Sequence, residues 1–568
     1  MLVRRILRSS LLNTRRAILR RQLSTTSKLP KSLYKFSRDR PRVILEAQKA
    51  LTDYLHTTRL LPFVYAEQIA INSTFSLSET VSKIDFTPAT FCRKFHRFLN
   101  YHPVNELQFF YESIGISYSD LGSVLPADKF FITEEFGEFD VACLLFRFGF
   151  PWNRLARLYE AQVNIFKMDL KVLSDRLLYF KSEFGFDSAM IVGMCIVFPL
   201  LLSGGSEKGS DVELMLDDLK WVFGCFDSGN CEMTDENVWI DTCRKIKVFY
   251  DMGCEKGRVE SILRRCRDLF RVYSEEELSQ KMAYFCRLGV DKMDVVMLII
   301  KCPEIMDFDL QTRDFSVLGF LKHFGMSENE MDSIALKYPY VIGRNKIANL
   351  PHVMRALDLQ NWFFEKLKNG NHMRMRSYEL PDGSEGDNKA YKDGYEKIQF
   401  VSRPAFTLSK LEFLHGIGFG ENKITIDLLP AVRGTSTELQ DRFNCLIDLG
   451  AEFSKICKAV VQVPKILNQN PNITIQKVNF LLDEIGLSIS YLYRFPAYLS
   501  FDLDYRIKPR YRFHEWLEEK GVSSTRYSLS TLISTGEAKY IAYVYRIQPA
   551  APKHYLECFF FRKPSRVS

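Results

Sequence analysis

The sequence predicts an all-α fold: a superhelical α-solenoid of roughly 35-residue two-helix repeats enclosing a concave groove. Three observations predict it. Ten glycines (Gly115, Gly149, Gly185, Gly253, Gly289, Gly325, Gly418, Gly450, Gly486 and Gly521) close apolar helical stretches at spacings of 34, 36, 68, 36, 36, 93, 32, 36 and 35. A proline follows Gly185, Gly289, Gly325 and Gly450 at a constant offset of 14 residues, as Pro199, Pro303, Pro339 and Pro464. Between these marks the apolar residues step by three and four, and no stretch shows sustained two-residue alternation with hairpin turns. A unit of this size cannot bury its own apolar face, but stacked copies can, and about ten to twelve helix pairs fit the chain.

The clearest copy runs from Phe320 to Ile342. Phe320, Leu321 and Phe324 share one helical face, and Gly325 stops that helix (helix A) as a C′ residue. Ser327 and Glu330 then form a capping box that starts a second helix (helix B). Met331, Ile334 and Ala335 give its buried stripe, and Tyr338-Pro339 ends it, since proline disfavours the helical state just before it. The interval of 68 reads as two periods with a worn copy near Gly224. The interval of 93 reads as two periods plus an insertion, with a worn copy near Leu357-Asp358-Leu359.

Outside the repeats the chain changes character. Residues 1–23 hold seven arginines and no acid, and Val3, Leu7, Leu11 and Ile18 fall on one helical face. This is the pattern of a mitochondrial transit peptide, with a protease site expected before Ser24, and of a plastid address less well. Residues 24–104 read as a linker and irregular helical region, 105–368 as repeats, 369–400 as a flexible polar insertion, 401–525 as C-terminal repeats and 526–568 as a basic tail. The longest uncharged apolar run, Ala189–Leu202, has 14 residues, short of the roughly 18 that a membrane span needs.

The phrase after helix B stands as Phe198-Pro199-Leu200-Leu201-Leu202, Cys302-Pro303-Glu304-Ile305-Met306, Tyr338-Pro339-Tyr340-Val341-Ile342, Val463-Pro464-Lys465-Ile466-Leu467 and Phe495-Pro496-Ala497-Tyr498-Leu499. This resembles the repeat of the mitochondrial transcription termination factor (mTERF) family, over about residues 105–525. The run from Phe495 through Arg510 resembles the end of the array in plant members. The resemblance implies an organellar α-solenoid that binds double-stranded DNA or RNA in the mitochondrial matrix and nucleoid. It would act there, as a monomer beside other nucleoid proteins, in transcription, termination or RNA processing and splicing. The copy ending Cys266-Arg267-Asp268 departs from the pattern, with Arg267 where the proline belongs.

Of the formal net charge of +8, seven units belong to the arginines of residues 1–23, so the rest of the chain carries +1. Polyanion binding must therefore come from local patches. The candidates are a cluster of Arg264, Arg265, Arg267 and Arg271 beside Arg258, and a second of Arg506, Lys508, Arg510 and Arg512 interleaved with aromatic residues. Arg344, Lys346, Arg433, Lys458, Lys465 and Arg494 are isolated candidates. The alternative is a protein-binding scaffold in the mitochondrial matrix that uses the same concave face. Cations lining that face favour nucleic acid, and scattered cations favour the scaffold.

Nothing in the sequence calls for an enzyme, a cofactor or a metal. Gly204–Ser210 lacks the Gly-Lys-Ser/Thr of a phosphate loop, and Gly416-Ile417-Gly418-Phe419-Gly420 misplaces the third glycine of a dinucleotide loop. The thirteen cysteines include no Cys-x-x-Cys pair and read as small buried hydrophobes.

Overall fold

The computed structural model describes residues 40–87, 89–203, 211–227, 236–260, 270–308, 313–380, 389–522 and 527–559. The expected transit peptide at 1–23 lies outside them, as do Arg264, Arg265 and Arg267. The described chain is helical almost throughout, and its one sheet is a pair of three-residue antiparallel strands, Asp314–Ser316 and Arg344–Lys346. It forms two compact units that meet in sequence at Arg264 and Arg265. No helix among the described residues is long and apolar enough to cross a membrane.

The repeat frame is visible at all ten glycine-marked turns. All ten glycines named above hold positive φ angles, from 66° at Gly521 to 123° at Gly149. Gly325 illustrates the cause. Its φ of 87° lets its N–H reach the Lys322 carbonyl (2.9 Å) while Met326 N–H closes back on Leu321 (3.1 Å), so the orphan carbonyls of helix Val317–His323 are satisfied. Ser327 and Glu330 then make the reciprocal capping box that starts helix Glu328–Lys337. The worn copy at Asp358 keeps the same turn, with Asp358 itself at φ 65°. The worn copy at Gly224 does not: the helix Asp211–Asp227 runs on past it. Beyond helix B, Pro303, Pro464 and Pro496 each start a short 3-10 turn.

The first unit is more regular at its start than the sequence suggests. Residues 24–104 read as a linker and irregular helical region, and from Arg40 they form packed helices, Arg40–Asp53, Phe63–Asn72, Thr74–Ser82 and Phe91–Tyr101. Two buried carboxylates tie these to the first repeat. Glu112 accepts the N–H groups of Phe75 and Ser76 (both 2.7 Å) at the start of one helix. Glu106 is fully buried and accepts from Tyr54 (2.8 Å) and Arg59. These anchors are single acids distant in sequence from their partners, a pattern that periodicity does not reveal.

In the second unit the expected flexible insertion is partly helical, as Met373–Ser377 and Lys389–Ile398, with residues 381–388 outside the described set. The expected basic tail is also structured. Helices Leu529–Ser534 and Glu537–Ile547 fold back on helix Lys508–Glu519, enclosing Phe513, Leu517, Leu532, Tyr540, Val544 and Tyr555 in a small core. The array therefore ends in a folded cap. Cys195, Cys243 and Cys457 are buried as expected, whereas Cys92 and Cys558 are exposed.

Candidate nucleic-acid interface

The lysines and arginines divide into two sets by their position in the repeat. The first set lies in helix A, eight or nine residues before its closing glycine: Arg176, Lys281, Lys410, Arg442 and Lys477. Each reaches across to the backbone just after helix B. Arg176 Nε donates to the Leu201 carbonyl (2.9 Å), Lys281 to Met306 and Phe308, Lys410 to Leu429 (3.3 Å), Arg442 to Leu467 (3.0 Å) and Lys477 to Leu499 (2.7 Å). The carbonyls at the end of a helix have no intrahelical partner and carry partial negative charge, so a buried cation is a fitting cap. Burial pushes the Lys477 ammonium down to about 8 and lowers Lys410 as well, where the Arg433 charge adds to it. These side chains clip their five repeats shut.

The C-terminal cap absorbs two of the expected nucleic-acid residues in a similar way, eleven and fifteen residues before Gly521 and so outside that register. Arg510 is fully buried, donates to Leu532 (2.9 Å) and Thr535 (2.6 Å), pairs with Glu537 and lies 4.3 Å from the Tyr540 ring centre. Arg506 donates to Ile533 (2.8 Å) and Thr535 (2.9 Å). Both hold the C-terminal cap; the fully buried Arg510 does not face solvent as its sequence suggested, and Arg506 is partly buried. Lys508 is paired with Asp504 (2.7 Å) and Arg512 with Glu484 (2.8 Å). Arg344 is engaged by Asp314 (3.0 Å), and Arg258 by Glu255 (3.0 Å). Arg271 is exposed.

The second set points outward. Lys301, Lys337 and Arg494 each end a helix B, two residues before Pro303, Pro339 and Pro496, and all three are exposed. Lys465 follows Pro464, and Arg433 and Lys346 lie in turn and strand; these too are exposed, without an ion-pair partner among the described residues. The densest group surrounds Tyr338. Lys337 Nζ lies 5.0 Å from its ring centre and Lys458 Nζ 4.4 Å, with Lys455 one turn before Lys458 on helix Phe453–Gln462. Burial lowers the Lys458 ammonium, and the charges of Lys337 and Lys455 lower it further, against the opposing pull of Asp358. Three cations from the helix B of two different repeats thus concentrate positive charge around one ring, the local patch that attraction of a polyanion requires.

The mTERF family model matches residues 233–350 and 401–541. A relative from Arabidopsis thaliana, the mitochondrial transcription termination factor MTEF18, is 47% identical over 520 residues, covering 91% of this chain and 93% of the relative. The chain belongs to the mTERF family, plant organellar type. A second Arabidopsis mTERF protein, the chloroplastic transcription termination factor MTERF8, is 28% identical over 125 residues, covering 22% of this chain and 25% of the relative. The mTERF match passes over residues 351–400, the stretch that holds the insertion. It runs on to 541, into the segment expected to be a tail.

Sequence reading singled out Lys458, Lys465 and Arg494 but missed Lys301, Lys337 and Lys455 in this mTERF array. For Lys301 and Lys337 the signal was present, a cation two residues before the proline of helix B; Lys455, nine residues before Pro464, carries no such mark. Read by charge alone, the clip residues and the exposed residues look the same.

Proposed function

We propose that this mitochondrial mTERF protein binds organellar nucleic acid through the cations on its B helices and so regulates mitochondrial gene expression. Organellar gene regulation through nucleic acid comes with family membership. The mitochondrial relative is a transcription termination factor, which points to transcription termination as the process. The observation that carries the reading is the Lys337, Lys455 and Lys458 group around Tyr338, three cations from two repeats with Asp358 as the nearby acid. Lys301, Arg494, Lys465 and Arg433 extend it as further phosphate contacts. The cations would fix register on the backbone, as phosphate contacts do, while other groups read the bases. The protein works without a catalytic step in this reading, as a monomer in the matrix, in the nucleoid.

The test is a salt series with the mature chain from Ser24 on mitochondrial DNA duplexes and transcripts. Each phosphate contact adds about 0.9 to the slope of log affinity against log salt on duplex. Replacing Lys337, Lys455 and Lys458 together by Ala should flatten that slope by about 2 to 3 units. Salt-independent binding, or none at low salt, would remove the nucleic-acid reading and leave the protein scaffold in its place.

A further inference from the structure

The insertion builds a pocket that the repeats alone do not have. Its helix, Lys389–Ile398, lies in the stretch that the family model passes over. It sits tightly on helix Lys423–Leu428: a Cβ on Gly394 would come within 2.7 Å of Ile426 Cγ2. That close approach fixes two tyrosines beside the start of the next repeats. Tyr391 is buried, and its hydroxyl donates to His415 Nε2 (2.9 Å), whose Nδ1 faces the Phe419 carbonyl (2.8 Å). Tyr395 stacks on Tyr391 with ring centres 6.2 Å apart and planes 22° apart, and it keeps 37% of its surface exposed.

These rings form one wall of a cavity of about 550 Å³. The facing groups are polar and only partly used. Asn349 donates to Asn345 Oδ1 (2.9 Å) and Gln440 to Asn444 Oδ1 (2.8 Å), leaving each amide its own oxygen and a second N–H. Glu412 lines the cavity with no hydrogen bond or ion pair among the described residues, and Lys346 stands exposed at its edge. Glu421, pushed up by burial, is pulled back by Arg344, Lys392 and Lys346.

We infer that this pocket takes the base of one unpaired nucleotide. The rest of the case rests on the nucleic-acid reading above. Tyr395 supplies a stacking face open to solvent and backed by an immobile ring, which suits any base. Asn349 and Gln440 pair with base edges, and Glu412 accepts from an exocyclic amine. A phosphate does not fit the interior, where Glu412 and Glu421 would repel it; it belongs at the edge, beside Lys346. The consequence is a preference for single-stranded segments, RNA or unpaired DNA, at this position.

The test compares Tyr395→Ala with the Lys337, Lys455 and Lys458 triple-alanine variant in the full mature chain. The probes are single-stranded RNA, single-stranded DNA, duplex of the same sequence and the four nucleoside monophosphates. Tyr395→Ala should weaken single-strand binding about tenfold, the loss of one stacked base, with duplex binding and thermal unfolding unchanged. Equal loss on RNA and DNA assigns the base alone, and loss confined to RNA assigns the ribose with it. Wild-type single-strand affinity in Tyr395→Ala overturns the inference. If strands fail to bind while monophosphates bind and Tyr395→Ala abolishes it, the pocket stands and the lysine interface falls. If monophosphates and strands both fail, the pocket falls too.

Discussion

The seam inside each repeat and the exposed end of its helix B carry the same residue types and use them oppositely. At the seam, Lys410 and Lys477 are almost wholly buried, and their ammonium groups answer backbone carbonyls. At the end of helix B, Lys337 and Arg494 are exposed. A buried cation without such partners would be costly, so the seam residues are committed to structure. The exposed ends keep their charge for a partner. In five repeats the position eight or nine residues before the closing glycine marks the seam role, and in three the position two residues before the proline marks the exposed one; at the C-terminal end the register slips, with Arg510 buried at eleven residues before Gly521 and Arg512 exposed at nine.

The sharpest way to break this comparison is to remove a seam cation. Arg510→Met should cost about 3 kcal/mol, because it leaves the carbonyls of Leu532 and Thr535 without their donor in the cap and the half-exposed Glu537 without its partner. Denaturant unfolding measures it, and a change below about 1 kcal/mol, the net worth of an ordinary hydrogen bond, would show that the cap does not depend on the clip.

A gentler probe is pH. Lys477 is held near 8 in the folded chain against an ordinary value of 10.5. Between those values the unfolded chain binds the proton and the folded chain does not, so this residue makes stability rise with pH from about 8 toward 10.5. Lys477→Met should flatten the rise in a series of unfolding curves across that window. An unchanged slope would mean that Lys477 stays charged at the seam.

The smallest effect is expected at the surface. Arg512 and Glu484 are each about half exposed, with side-chain exposures of 51% and 47%. Arg512→Ala should cost no more than about 0.5 kcal/mol. A loss several times larger, read by the same unfolding experiment, would move Arg512 from the exposed set to the seam set.

Most of the fold was legible because its punctuation is local. A helix that stops in the left-handed region asks for glycine at that residue, so Gly289, Gly325 and Gly450 mark their turns without help from distant contacts. Asp358 could be placed because the period demanded a turn there and a short polar side chain tolerates that conformation. Gly224 misled because a glycine inside a long helix looks the same in sequence as one that ends it. The C-terminal cap was missed for a different reason. Phe513, Tyr540 and Tyr555 are far apart in sequence and come together only in the folded core, while the surplus of lysine and arginine around them suggested a tail.

The interface was less legible. Arg506 and Arg510 stood out as a basic run with aromatic neighbours, but the rings they meet lie outside that run: Arg506 lies 4.6 Å from the Phe501 ring centre and Arg510 4.3 Å from that of Tyr540. Lys337 and Lys455 are 118 residues apart, so only stacking of their repeats gathers them. Tyr391 and Tyr395 sat in a polar stretch full of glycine, and the packing of Gly394 on Ile426 that orders them has no sequence signature.

The most direct test of this sorting sets one variant of each set side by side. Lys410→Met removes a seam cation, and Lys337→Ala with Lys455→Ala and Lys458→Ala removes the group around Tyr338. Thermal unfolding and the salt dependence of nucleic-acid affinity are measured on both. The account predicts that Lys410→Met lowers the melting temperature and leaves the salt slope unchanged, while the triple variant flattens the slope and melts like the parent. The reverse pattern, or equal loss of both properties in both variants, would contradict it.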